Sequence, residues 1–317
     1  MKTQIADWLF LYNTIRQVID DNLNIKLKIF YFTLEMSKEQ KMLSAFSNIL
    51  YVKEGIRIAP KDLRSTKDDK ILSDETLKTI EKYEPYFNKI EEIVEFIDDV
   101  RNPTGIYKFV REYAYNNGTQ HKKKVEFKNA KTGEITINEI DDYYEPNNPE
   151  EYVMVFIDHI SLISTETLGG RNMNLRESIV KLSSDYLIRL RNKFGYIPVV
   201  IQQQAAAQES LENFKLNKLK PSLDGLGDCK LTQRDADVIL GLFSPFRHEI
   251  PEYKDYNVRL FRDNIRFMEI LGGREGGAGT ICPLYFDGAV NYFKELPKPD
   301  DSIGMKAVES FLQTIRE

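Results

Sequence analysis

The sequence lacks several things, and each absence removes a class of protein. Its longest apolar runs, such as Val153–Ile157 and Ile197–Ile201, fall far short of the roughly 20 residues a membrane span needs. No basic stretch followed by an apolar one opens the chain, so secretion is not expected and a reducing cytoplasm is. Cys229 and Cys282 are too few for a disulfide framework and have no metal-site spacing. A surplus of positive charge is missing too. With 44 basic against 49 acidic residues the net charge is −5, which excludes a nucleic-acid binder held by bulk charge but leaves room for a local basic path. There is no internal repeat, no second carboxylate and histidine cluster for a metal, and no Ser-His-Asp arrangement.

What is present is globular: 42% hydrophobic and 29% charged residues over 317 positions. That composition rules out wholesale disorder, and the length gives a prior of about two domains. The order of elements reads as one. Ile5, Trp8, Leu9, Tyr12, Ile15 and Ile19 share a helical face over residues 3–21. LKIFYFTL (Leu27–Leu34) is a strand, followed by a helix from Lys38; a charged, helix-rich region then runs to about Ile90. Val94–Ile97 is a short strand and residues 106–115 a helix. Residues 119–150 alternate polar and apolar about a turn whose Gly133 takes positive φ, which predicts an inserted β-hairpin. Val153–Ile157 is an uninterrupted apolar strand, as in a parallel sheet covered on both faces. An amphipathic helix from Leu175 to Phe194 ends at Gly195, and Pro198–Ile201 is a further buried strand. A polar loop fills 205–232. Strands are expected at Val238–Phe243, Val258–Phe261, Arg266–Leu271 and Thr280–Phe286, then a short helix after Pro297 and Pro299. The alternation predicts an α/β domain with a mostly parallel sheet, extended antiparallel by the late strands.

Ligands collect at the carboxyl ends of the strands of such a sheet. Glu35, Asp98-Asp99, Asp158 and Gln204 sit there. Asp158, after an apolar strand, has the Walker B pattern that supports Mg²⁺ on a nucleotide; an Asp at a strand end also suits a turn. Lys2-Thr3 at a helix start matches the tail of G-x-x-x-x-G-K-[ST], where the Lys reaches phosphate and the hydroxyl holds Mg²⁺. Alone, either motif is weak. Their order gives them weight: Lys-Thr-helix, strand-Glu, strand-Asp, helix, strand-Gln.

Five segments then resemble the DnaB family of replicative helicases, in that family's order. FTLEMSKEQ (Phe32–Gln40) resembles the segment after its second core strand, and VFIDHISLI (Val155–Ile163) its Walker B segment. PVVIQQQ (Pro198–Gln204) is similar to its sensor strand. QRDADVILGLF (Gln233–Phe243) resembles its Asp-Ala-Asp segment, and REGGAGTICPLYFDG (Arg274–Gly288) its Arg-Asn-Gly-x-x-Gly-Thr strand pair. The resemblance implies a RecA-like P-loop NTPase motor domain over residues 1–296, with the hairpin inserted at about 119–150 and a linker and helix over 297–317. It implies ATP hydrolysis, a homo-hexameric ring, and translocation on single-stranded DNA during replication. Primase and helicase loader are expected partners from the resemblance alone, and the divergence suggests a phage version.

Carried over by position, Lys2 binds phosphate, Thr3 and Asp158 hold Mg²⁺, and Glu35 polarises the attacking water. Gln204 is the sensor, and Arg274 the arginine finger to a neighbouring subunit. DNA loops are expected at about 164–174, with Arg171 and Asn172, and at 205–224, with Lys215, Lys218 and Lys220. Each has a plainer reading: Glu35 as a cap in the first turn of the next helix, Gln204 as one of three surface glutamines, Arg274 as a solvated hairpin arginine. The hairpin lysines (Lys122, Lys123, Lys124, Lys128 and Lys131) fit a solvated charged surface better than DNA contacts. His159 is expected to be a satisfied neighbour of Asp158.

The chain departs from the family in two places. Gly272 stands where the family carries a Lys before the finger arginine, and Gly225-Leu226-Gly227-Asp228-Cys229-Lys230 replaces Asp-Leu-Arg-Glu-Ser-Gly. Met1 also falls where the last glycine of the phosphate loop belongs, so the resemblance predicts a truncated loop, an empty slot in the sheet and poor ATP binding. Two other functions remain open at this level: a recombinase-like ATPase on the same core, or a non-hydrolysing RecA-fold subunit.

Overall fold

In the computed structural model, which describes residues 2–315 except 65–70, 129, 131, 211 and 214–218, the chain opens directly as a helix. α1 (Lys2–Ala6) passes through a π-helical stretch (Asp7–Tyr12) into α2 (Asn13–Asp20). β1 (Lys26–Thr33) follows, and α3 (Lys38–Glu54) starts from a capping box. Ser37 Oγ accepts from the Gln40 N–H and the Gln40 side chain accepts from the Ser37 N–H. The cap is therefore Ser37; Glu35 lies before the helix, in the bend that leaves β1, and not in its first turn. Next come α4 (Asp74–Lys82), α5 (Glu84–Ile93), β2 (Val94–Ile97) and α6 (Pro103–Asn116). The expected hairpin is β3 (Gly118–Lys128) and β4 (Ile135–Pro146), and Gly133 has φ +72°. Its base is pinned to the body: the Tyr144 hydroxyl donates to the Ala114 carbonyl at 2.9 Å, and its ring meets Phe194 edge-on.

β5 (Glu151–Asp158) leads to a two-residue hairpin, β6 (Thr167–Leu168) and β7 (Arg171–Asn172), turned by Gly169 and Gly170, both at positive φ. α7 (Leu175–Val180), a π-helical stretch (Lys181–Leu187) and α8 (Ile188–Phe194) form the long helix, closed by Gly195 in the left-handed conformation. β8 (Ile197–Ile201) completes a four-stranded parallel sheet of order β2-β1-β5-β8. Its central strands β1 and β5 are buried on both faces, where side chains alternate with period two, whereas β8, expected as a buried strand, is an edge strand with Ile197 and Val200 exposed. Phe30, Phe32, Val155 and Ile157 pack under α6, α7 and α8. Ile29, Tyr31, Met154 and Phe156 pack under α1–α2, α3 and α5.

The late strands do not extend this sheet. β9 (Val238–Phe243), a small hairpin of β10 (Glu252–Tyr253) and β11 (Tyr256–Asn257), β12 (Ile265–Gly273), β13 (Ile281–Asp287) and β14 (Tyr292–Glu295) come next. Four of them form a separate antiparallel sheet, β14-β13-β12-β9. Among the described residues the ladder partners of β8 and β9 are β5 and β12, so the two strands do not pair with each other. Val258–Phe261, expected as a strand for its apolar content, is a helical turn: the Asn257 side chain accepts from the Leu260 N–H and caps it. α9 (Ser302–Thr314) closes the chain, with Leu312, Met305 and Val308 against the antiparallel sheet.

The first helix lies between the two sheets. Leu11, Tyr12 and Ile15 face the parallel sheet, whereas Ile5, Trp8 and Leu9 join Leu284, Phe286 and Phe293. Beside it, between the edges of β8 and β9, is a cavity of about 440 Å³ lined by Ile5, Leu9, Val200, Ile239 and Met268 among others. Two polar ties bridge the layers elsewhere. Arg57 makes a two-point ion pair with Asp287, and the buried Asn48 amide donates to the Val290 and Asn291 carbonyls at 3.0 and 2.9 Å. Asn48→Ala removes both donors and leaves buried carbonyls unpaired, so it should cost about 1–3 kcal/mol in urea unfolding; Lys123→Ala, on the exposed hairpin, should cost under about 0.5 kcal/mol.

Candidate functional site

Register brings the candidate residues to one edge. Thr33 of β1 pairs with Asp158 of β5, Asp158 with Ile201 of β8, and Phe32 with Ile97 of β2. The carboxyl ends of all four strands therefore lie in a row. Asp158 is fully buried there, and Thr3 Oγ1 donates to its Oδ1 at 2.8 Å. The Asp158–His159 peptide is cis. His159 Nδ1 accepts from the Ser161 N–H at 3.2 Å and caps the next turn.

Asp158 is also part of a charge cluster that sequence reasoning missed. Lys41 of α3 is 1% exposed, and its ammonium has three N–H donors. They go to Asp7 Oδ1 and Oδ2, at 3.2 and 3.0 Å, and to the Tyr31 hydroxyl at 2.5 Å, and the ammonium also makes an ion pair with Asp158 Oδ2 at 3.0 Å. Tyr31 in turn has one proton for two carboxylates, Asp7 Oδ1 at 2.7 Å and Asp158 Oδ2 at 3.0 Å. Burial pushes the Asp7 carboxyl up, opposed by the Lys41 charge. Burial, then the Asp7 and Asp158 charges, push the Tyr31 hydroxyl well up, so it stays a neutral donor. One signal was available. Lys41 shares a helical face with Ala45 and Ile49, both buried, and Asp7 lies within the apolar first helix; charge at a core position marks a partner.

The other candidates are dispersed around this centre. Lys2 lines the cavity between β8 and β9. Glu35 is exposed at the carboxyl edge, and Thr33 Oγ1 donates to the Met36 carbonyl at 2.6 Å, folding the chain back around it. Asp98 accepts from the Lys38 N–H at the start of α3. Gln204 is half-buried: its amide donates to the Ser222 carbonyl at 3.1 Å, and its backbone bridges to Leu226. It is not a free surface glutamine. Gly227, in that loop, lies so close that a Cβ would come within 3.0 Å of the Gln203 carbonyl. Arg274 is exposed, donates to the Arg234 carbonyl and pairs with Asp237 at 3.3 Å, which Arg191 also holds at 3.0 Å.

Arg171 and Asn172 sit on the exposed β6–β7 hairpin, where Arg171 pairs with Glu177 and Asn172 accepts from the Thr167 hydroxyl. Lys220 is about half exposed, 3.6 Å from Glu269. Lys215, Lys218 and Lys131 lie outside the described residues.

Among the described residues no group of three or more His, Cys, Asp or Glu could hold a metal ion. Thr3 and Asp158 offer instead a hydroxyl and a carboxylate. That hard-oxygen pair suits Mg²⁺, which keeps several waters and takes further oxygens from phosphates. No helix is long and apolar enough to cross a membrane among the residues searched. Compared with known proteins, the sequence matches no family model and no curated protein.

Removing Lys41 alone should be severe. Lys41→Met leaves Asp7 and Asp158 buried without their counter-charge and should lose about 3–5 kcal/mol in denaturant unfolding. Lys53→Met, which breaks the half-exposed pair with Asp20, should lose no more than about 1 kcal/mol.

Proposed function

We propose that this chain is the ATP-hydrolysing, RecA-like motor core of a replicative DNA helicase of the DnaB type. The observation that carries the reading is the hydrogen bond between Thr3 and Asp158, 155 residues apart in sequence. These are the two residues that the resemblance pairs as ligands of Mg²⁺, and their meeting is independent of the motifs that suggested it. Its place supports the same reading, since open parallel sheets bind ligands at their carboxyl ends.

On this reading Thr3 and Asp158 hold Mg²⁺ and Lys2 binds phosphate oxygens. Mg²⁺, when bound, neutralises charge on the phosphates. Glu35, exposed at the same edge, orients the attacking water and takes up its proton. Gln204 ties the end of β8 to the 222–227 loop, a connection through which nucleotide state reaches a DNA-contacting segment. Arg274 serves a neighbouring subunit of a homo-hexameric ring, and Arg171, Asn172 and Lys220 meet the phosphates of single-stranded DNA.

A second reading, a non-hydrolysing RecA-fold subunit, is favoured by one observation: the Lys41 ammonium already lies 3.0 Å from Asp158. That charge competes with a divalent cation for the carboxylate.

ATP turnover with and without single-stranded DNA separates the two. On the helicase reading Glu35→Gln lowers kcat by about 100-fold or more and keeps nucleotide binding, while Asp158→Asn loses Mg²⁺-dependent binding. Absent turnover, with Mg²⁺-dependent binding still sensitive to Asp158→Asn, selects the second reading. Nucleotide binding that ignores both Mg²⁺ and Asp158→Asn sinks both.

A further inference from the structure

We propose that Asp7, Tyr31 and Lys41 are positioning residues for Asp158: they clamp one oxygen of its carboxylate so that the other, beside the Thr3 hydroxyl, is presented to a divalent cation. The inference rests on the nucleotide-site reading and adds three residues that reading does not use.

The two oxygens of Asp158 have different partners. Oδ2 accepts from the Tyr31 hydroxyl at 3.0 Å and pairs with the Lys41 ammonium at 3.0 Å, and Oδ1 accepts from Thr3 at 2.8 Å. A carboxylate rotates readily about its last torsion, so these partners decide which oxygen faces Thr3. The clamp itself is packed on the sheet. Lys41 has no donor left over, and its ammonium lies 4.3 Å from the centre of the Tyr31 ring. That ring is stacked on Phe156 at 4.9 Å, and Phe156 is fully buried in β5, two residues before Asp158.

Asp7 has a separate task. With Asp158 as its sole anion, Lys41 would neutralise the carboxylate that a cation needs. Asp7 takes two of its short contacts, at 3.0 and 3.2 Å, and so divides one positive charge between two carboxylates. Asp158 is thereby oriented without being fully neutralised. Outer partners of this kind usually govern metal affinity.

The test uses the full chain with ADP and Mn²⁺, and free Mn²⁺ is followed by electron paramagnetic resonance. Four variants are compared with the parent: Asp158→Asn, the apolar pair Asp7→Leu/Lys41→Met, Asp7→Leu alone, and Tyr31→Phe. Exchange of a buried ion pair for apolar groups preserves folding in other proteins, and a thermal melt checks it here. The pair variant is expected to bind Mn²⁺ about tenfold or more weakly and Tyr31→Phe several-fold more weakly, with metal-free ADP binding unchanged. Asp7→Leu alone, which leaves all of Lys41 to Asp158, should weaken Mn²⁺ more than the pair variant does, an order that mere loss of structure does not produce. Folded pair and Tyr31→Phe variants that bind Mn²⁺ like the parent overturn the proposal; should the pair variant fail to fold, unchanged Mn²⁺ affinity in Tyr31→Phe does so alone. If Asp158→Asn also binds like the parent, the nucleotide-site reading falls with it; if only Asp158→Asn is weakened, that reading stands and this one does not.

Discussion

A lysine ammonium taken out of water keeps its charge only where every N–H finds an oxygen and an anion lies close. Lys41 imposes that condition on four parts of the chain at once. Its acceptors come from the first helix (Asp7) and β1 (Tyr31), its second anion from β5 (Asp158), and Lys41 itself comes from α3. Displacing any one of these elements strands a charge in an interior whose other occupants are Ile29, Phe156 and Ala45. The cluster thus ties the start of the chain to the middle of the parallel sheet, and through the Thr3 hydroxyl to the carboxyl edge.

That tie explains why the first helix can serve two sheets. A helix with one apolar stripe buries one face. This one carries Leu11, Tyr12 and Ile15 toward the parallel sheet and Ile5, Trp8 and Leu9 toward the antiparallel one, with Asp7 between. The polar ties from α3 and the segment after it, Asn48 to the 290–291 carbonyls and Arg57 to Asp287, hold the second sheet from the same side. Between β8 and β9 no ladder forms, so helix and side chains carry the join there, and the cavity lies along it.

Most element positions were legible in the sequence, because burial on two faces leaves continuous apolar strands and helix ends carry chemical marks: Ser37 with Gln40, Gly195, Gly133. Val258–Phe261 was misread because apolar Val258 and Leu260 about a charged Arg259 alternate as in a short strand, and a single Asn cap outweighed that pattern. The division into two sheets was not legible at all. It depends on which strand edges meet, and side-chain pattern along a strand says which face is buried but not which neighbour lies alongside. At the site, motif order singled out Thr3 and Asp158, and register with one hydrogen bond brings them together. Asp7, Tyr31 and Lys41 escaped notice because their meaning is collective: a charge on an apolar helix face calls for a partner without saying which, and only the fold puts the three within 3.2 Å of one another.

The cluster also constrains what the carboxyl edge can do chemically. Two carboxylates share one ammonium, so with both ionised the buried group carries one net negative charge. An apolar surround would have left the Asp158 charge unscreened and costly to bury; a single dedicated lysine would have cancelled it. Division of Lys41 between Asp7 and Asp158 lies between those limits. On the proposed reading, that is the balance a weakly held, exchangeable Mg²⁺ requires, because a site that must release its metal with each nucleotide cannot present the full field of two unpaired carboxylates. The same charge division gives the non-hydrolysing reading its physical basis, since a modest shift of Lys41 toward Asp158 would close the site to a cation. On the proposed nucleotide site, the charge left on Asp158 is what divides the two readings, and Asp7 is the residue that sets it.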